Sequence, residues 1–244
     1  MAQPSPSTLD VQRRLKALGY YPETPDGDYG PVTTDAVARF QARANVHLPS
    51  GAPLAFPGTM GSSTVAALFA PDAIRAPAKP PWIIEAETML GVHESRNYNR
   101  LVQWLRSAGK FIDPKRFAWC GDTVETAILR ALPREPISAV LRENPFGARN
   151  WLTFGQDVGP RYGAVVVFWR GSLRGWLGHV GFVVGRSADG RYVYVLGGNQ
   201  KDAINIMRLD TERVLGYRVP TTYDVALLGP VPVRSGGVLS SNEA

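Results

Sequence analysis

The sequence predicts an α+β fold in two parts, and three observations predict it. Apolar residues recur with a helical period in three short stretches before residue 70. The chain is then broken by Ala76-Pro77-Ala78-Lys79-Pro80-Pro81, where three prolines in six residues make a stiff, extended linker. After Pro160 helical periods give way to β-rich runs separated by Gly, Ser and Asp turns. Helices first and an antiparallel sheet later describes an α+β domain preceded by a small helical one. A hydrophobic content of 44% over 244 residues supplies ample material for packed cores.

In the first part, Leu9, Val11, Leu15 and Leu18 form a helical stripe that stops at Gly19. Val32, Ala36, Val37 and Phe40 form a second, after the turn-rich run Pro25 to Pro31. Val65, Ala66, Leu68 and Phe69 form a third. The runs Asp28 to Val37 and Thr59 to Leu68 each set a glycine turn and a hydroxyl N-cap ahead of a short helix, as in a degenerate repeat. In the second part, helices are predicted over Ile83 to Leu90, Arg100 to Ala108 and Gly121 to Leu132, ended by Gly91, Gly109 and Pro133. Strands are predicted over Ala164 to Trp169, Val180 to Val184 and Tyr192 to Leu196. The domains expected are 1–75, a linker 76–81, 82–220, and a C-terminal extension 221–244 whose last ten residues are expected to be disordered.

Composition excludes several classes. One cysteine, Cys120, cannot form an internal disulfide. With only His47, His93 and His179 beside it, no finger-like zinc cluster can be built, and no His-Glu-x-x-His run occurs. Asp26-Gly27-Asp28 resembles a fragment of a calcium loop but lacks the ligand series, so no metal and no cofactor are expected. No apolar stretch approaches the roughly 20 residues of a membrane span. Met1 to Ser7 has neither a basic start nor an apolar core, so no secretory signal is read there. The net charge of +6 lies entirely after residue 76, but the basic residues are scattered, which argues against nucleic acid as a partner.

The chemistry-bearing residues fall in one chain order. Cys120, in Trp119-Cys120-Gly121-Asp122, opens a predicted amphipathic helix, where the helix N-terminus would lower the thiol pKa. His179 lies in Gly178-His179-Val180-Gly181-Phe182, at the start of a strand among small and apolar neighbours. Asn199 follows the Gly197-Gly198 turn, with Gln200 and Asp202 as rivals and Gln200 otherwise a substrate contact. Thiol, imidazole and carboxamide in that order are what a papain-type cysteine hydrolase needs: the thiolate attacks, the histidine moves the proton, and the amide orients the histidine. The plainer readings are a buried cysteine, a core histidine and a simple turn. Glu94 and Asp122 would shape a substrate pocket or act as a surface charge and a cap. Trp119, Trp169 and Trp176 would wall a sugar–peptide groove or pack internally.

Two resemblances sharpen this. The runs Val11 to Tyr21, Asp26-Gly27-Asp28-Tyr29-Gly30-Pro31 and Ala36 to Gln41 resemble the peptidoglycan-binding family found at the ends of cell-wall hydrolases, over roughly residues 8–70. The Leu48 to Pro57 loop departs from that family. The resemblance implies a groove lined by Asp26, Tyr29, Thr33 and Gln41, against a plainer reading of core and turn residues.

Gly91-Val92-His93-Glu94, Trp119-Cys120-Gly121-Asp122, Val165 to Gly171, Gly178 to Gly185, Leu196-Gly197-Gly198-Asn199-Gln200 and Leu215-Gly216-Tyr217-Arg218 resemble phage and prophage hydrolases related to the CHAP and NlpC-type cysteine peptidases. That resemblance implies a papain-like domain, helices on an antiparallel sheet, with Cys120 as nucleophile, His179 as base and Asn199 as the third polar residue. Thr123 stands where an aromatic residue is expected. The implied whole is an endolysin-type peptidoglycan hydrolase. It would be a monomer made in the host cytoplasm, without membrane insertion, reaching the wall by a separate route. A secretion-delivered toxin or remodelling enzyme is an alternative. A non-catalytic wall-binding virion protein is another, of a different class.

Overall fold

The structure, a computed structural model, describes residues 5–54 and 56–240. The reading of residues 1–4 as lacking a signal, and the final four residues of the expected disordered end, lie outside these. Two compact units are present: one from the chain up to Ala78 together with Pro232–Ser235, the other from Lys79–Val231 and the chain from Gly236 onward.

The first unit holds three helices, α1 (Thr8–Ala17), α2 (Pro31–Arg43) and α3 (Ser62–Phe69). Ser7 caps α1 in a reciprocal box with Asp10, and Pro31 opens α2, where its missing N–H costs nothing. Gly19, at φ +89°, turns the chain out of α1 and lets the Tyr20 N–H reach back to the Leu15 carbonyl at 2.8 Å. Leu15, Val37, Phe40 and Leu68 fill the core, joined by Val233 from the C-terminal segment.

Two buried glutamines make the internal repeat physical. The Gln12 amide donates to Thr33 Oγ1 (3.0 Å) and accepts from the Gly27 N–H (2.7 Å). The Gln41 amide donates to Thr64 Oγ1 (2.9 Å) and accepts from the Gly58 N–H (2.7 Å). Each ties a left-handed glycine turn (φ +86° and +91°) to the helix that follows it.

The second unit contains α4 (Pro81–Glu87), α5 (Tyr98–Leu105), α6 (Cys120–Ala131), α7 (Ala139–Glu143) and a 3-10 turn at Ala148–Thr153. Its strands are β1 (Gln156–Val158), β2 (Val165–Trp169), β3 (Gly178–Arg186), β4 (Tyr192–Gly197), β5 (Asn205–Asp210) and β6 (Val214–Val219). They form one antiparallel sheet in the order β1-β6-β2-β3-β4-β5. The helices and sheet make this unit α+β, as the change of period predicts. β2 is buried at four successive residues, Val165 to Phe168, so its apolar run does not alternate. α6 packs against α4, α5 and β3, and every residue from Cys120 to Ile128 is buried.

Three boundaries differ from expectation. Pro80 and Pro81 are the N-cap and first residue of α4 rather than linker, and Trp82 is buried behind them. The segment after 220 is integral: Glu135 accepts from the backbone N–H groups of Thr221 and Thr222, and Leu228 and Val231 join the second core. Nor is the end disordered as far as residue 240. The Arg208 N–H donates to the Val238 carbonyl and the Ser240 N–H to the Arg208 carbonyl, both at 2.9 Å. Those bonds cover part of the edge that β5 would otherwise expose.

Candidate active site

Cys120 occupies the first turn of α6 and is nearly inaccessible to solvent. A side chain at Gly121 would overlap the Pro145 carbonyl, so glycine lets the 145–146 segment cross directly over the helix start. Burial pushes the Cys120 thiol up. Backbone N–H groups of Val180 and Gly121 and the charge of Arg170 pull the other way without cancelling it. The expectation of a lowered thiol pKa is thereby corrected: desolvation outweighs the helix end.

The Val180 N–H that reaches the thiol belongs to the residue after His179, so β3 passes beside the start of α6. His179 is buried, with the Phe168 ring 6.5 Å away, centroid to centroid. Its Nε2 lies 3.1 Å from Gln200 Oε1. The carboxamide bonded to the imidazole is therefore that of Gln200 rather than Asn199, and Gln200, being fully buried, is no substrate contact. Asn199 adopts a left-handed backbone (φ +56°), which rotates the chain so that the next side chain turns inward. Gly198 abuts Thr123 and Trp119, where a side chain would collide with both. The loop thus sits directly on Thr123.

Other candidates take structural posts. The Trp119 indole is buried and donates to Glu94 Oε2 at 2.9 Å, so it walls no groove. Glu94 also donates its backbone N–H to the Asp202 carbonyl (2.8 Å), linking the loop of Gln200 to the residue before the thiol. Asp122 is fully buried and accepts from the Ile112 N–H (3.1 Å), which removes it from the substrate list. Trp169 is half-buried, its indole N–H 3.4 Å from the Glu212 carbonyl. Trp176 is 84% exposed. Its loop, between β2 and β3, is held by Arg149, whose guanidinium donates to the carbonyls of Ser172 (2.8 Å), Leu173 (2.8 Å) and Leu177 (2.9 Å). Arg149 carries no motif signal in the sequence. Arg170 directly follows the apolar run of β2, which is the local signal that marks it.

Burial raises Asp122 to about 7, helped by the nearby Glu125 carboxylate and opposed by the Ile112 N–H and Thr126. Its folded pKa thus exceeds the ordinary ~3.9 of an unfolded aspartate. Between those values the native state holds more protons, so this group's contribution to stability falls as pH rises from about 4 to about 7 and is flat above. Asp122→Asn is expected to melt higher than the parent at pH 8, by roughly 5 °C, with the gap closing near pH 4. Thermal melts across that range check it, and a gap independent of pH would contradict it.

Among the described residues no three His, Cys, Asp or Glu side chains converge as a metal-ligand set, and no helix is long and apolar enough to cross a membrane. A surface cavity of about 530 Å³, lined by Ser107, Gly109, Leu129, Arg130 and neighbours, lies at the opposite end of α6 from Cys120.

In the first unit, Thr33 and Gln41 are buried and committed to the two glutamine clamps, which corrects their assignment as ligand contacts. Asp26 is exposed at the turn, with one carboxylate oxygen on the Gln12 amide (2.8 Å). Tyr29 is 37% exposed and donates its hydroxyl to the Gly58 carbonyl (2.8 Å), bridging the two repeat turns. Residues 4–53 match the family model of a putative peptidoglycan binding domain. The match ends before α3 and supports an N-terminal peptidoglycan-binding module, with cell-wall association and peptidoglycan as partner. No curated protein and no solved structure matches the chain.

Proposed function

We propose that this chain is an endolysin-type peptidoglycan hydrolase whose second unit is a papain-like cysteine amidase or endopeptidase. The observation that carries the reading is the meeting of Cys120, on the first turn of a buried helix, with a β3 strand whose His179 is bonded to Gln200. The segment matching a peptidoglycan-binding family supplies the substrate class.

Because the resting thiol is neutral, catalysis begins with transfer of its proton to His179. The sulfur then attacks the carbonyl carbon of a stem-peptide or cross-link amide. Backbone N–H groups at the start of α6 face the oxyanion that forms. Collapse breaks the C–N bond, and the imidazolium returns its proton to the departing amine. Water, deprotonated by His179, then cleaves the thioester, releasing a carboxylate and regenerating the thiol. Binding of the first unit to the wall raises the effective concentration of the second on an insoluble polymer.

A fall in turbidity of purified walls on adding the full chain, unaffected by EDTA, tests the activity. Loss in EDTA restored by zinc would overturn the cysteine mechanism. Trp176, held out on an Arg149-braced loop, is read as a platform for a sugar ring. Trp176→Ala is expected to raise KM for polymeric wall by roughly three- to tenfold, the worth of one aromatic contact. Turnover of a sugar-free stem peptide should be unchanged; an equal loss on both substrates would contradict the platform.

A further inference from the structure

We propose that Asn205 is a positioning residue that acts through Gln200 to set which nitrogen of His179 carries the proton. Its catalytic consequence rests on the hydrolase reading above; its structural content does not.

Gln200 lies in the connection between β4 and β5, and Asn205 begins β5, paired with Gly197 across the ladder. Asn199, Lys201 and Asp202 all have left-handed backbones (φ +56°, +52° and +58°), a conformation that side chains disfavour. Such a loop needs ties. Asn205 Nδ2 donates to the Gln200 carbonyl at 2.7 Å, and the Gln200 N–H donates to the Ala203 carbonyl at 3.1 Å.

The side chains are tied in return. Gln200 Nε2 faces acceptors only: the Asn205 carbonyl (2.7 Å), Asn205 Oδ1 (3.0 Å), and the carbonyls of Val195 (3.2 Å) and Gly197 (3.3 Å). Turning this amide over would set its oxygen against four oxygens. Asn205 is fixed by the same logic, because its Nδ2 is the atom that meets the Gln200 carbonyl. The two amides therefore lock one another, and Gln200 Oε1 is left toward His179 Nε2. An amide oxygen only accepts, so Nε2 carries the hydrogen. A neutral imidazole has one N–H, which leaves the lone pair on Nδ1. Nδ1 is then the nitrogen that takes the thiol proton. Among the described residues, the Asn205 side chain supplies the only side-chain acceptor for Gln200 Nε2, and it braces the Gln200 backbone.

Long-range 1H–15N spectra of the 15N-histidine-labelled full chain, with His179 assigned by difference against His179→Gln, read the tautomer directly. The wild type is expected to show a single Nε2–H form. Asn205→Ala should mix the two forms and lower kcat roughly five- to tenfold, the worth of one such hydrogen bond, with KM unchanged. Asn205→Ser, too short to reach Gln200, should do the same and serves if the alanine variant does not fold. Asn205→Asp keeps an acceptor for Gln200 Nε2 but sets its second oxygen against the Gln200 carbonyl, so it too should mix the two forms. An Nδ1–H form in the wild type would overturn the proposal, as would a wild-type pattern in both short variants, whatever their activity. Should the wild type leave walls intact, the hydrolase reading fails, while the spectra still decide this inference.

Discussion

Cys120→Ala is expected to abolish wall lysis, by at least roughly 10⁴-fold, because nothing else in the site can form the thioester. The full-length variant should still sediment with purified walls, since the first unit is untouched. Cys120→Ser should be similarly inactive, its hydroxyl being a far weaker nucleophile. Alkylation adds a second check on the same atom. With its pKa raised by burial, the thiol is protonated at neutral pH, and its thiolate fraction grows about tenfold per unit below that pKa. Inactivation by iodoacetamide should therefore keep accelerating beyond pH 8.5, the ordinary thiol value of about 8.5 being exceeded. A rate that levels off near pH 6 would show a preformed thiolate and contradict this account of the resting state.

Gln200→Ala is expected to lower kcat by roughly 10²- to 10⁴-fold with little change in KM, because the lost contact holds the imidazole in its working orientation. Asn199→Ala should run near the wild-type rate, its side chain standing one residue out of place. The reverse ranking would return the third position to Asn199. Gln200→Glu is expected to be worse than a simple loss of the amide. Its second carboxylate oxygen would face Asn205 Oδ1 and three backbone carbonyls, an acceptor-only nest with no proton to share.

The contrast between those two residues marks where sequence reading stops. The flanks of Cys120 and His179 announce a helix start and a strand, because glycines, a polar loop and apolar periods are local signals. Which side chain of Asn199-Gln200 points inward depends on φ at Asn199, a property of the loop's packing on Thr123 and Trp119 that no local pattern encodes. The thiol misreading has the same origin. A helix N-terminus is visible in sequence, whereas the burial that overrides it is a tertiary fact. Trp119 and Asp122 sit beside Cys120 in sequence yet face the interior, because the stretch from Trp119 to Ile128 is buried throughout. β5 carries no clear strand signal, because Asn205, Arg208 and Asp210 interrupt its apolar residues on an edge strand. The Gly, Pro and Ser content of the C-terminal segment signals disorder, while its order comes from backbone bonds to Arg208.

The most direct test is mass spectrometry of purified peptidoglycan after incubation with the full-length wild-type chain and with Cys120→Ala. The account predicts fragments that have gained one water across a stem-peptide or cross-link amide, exposing a new amine and a new carboxylate, with wild type only. Unchanged walls, cleavage confined to the glycan strand, or the same amide products from Cys120→Ala would contradict it.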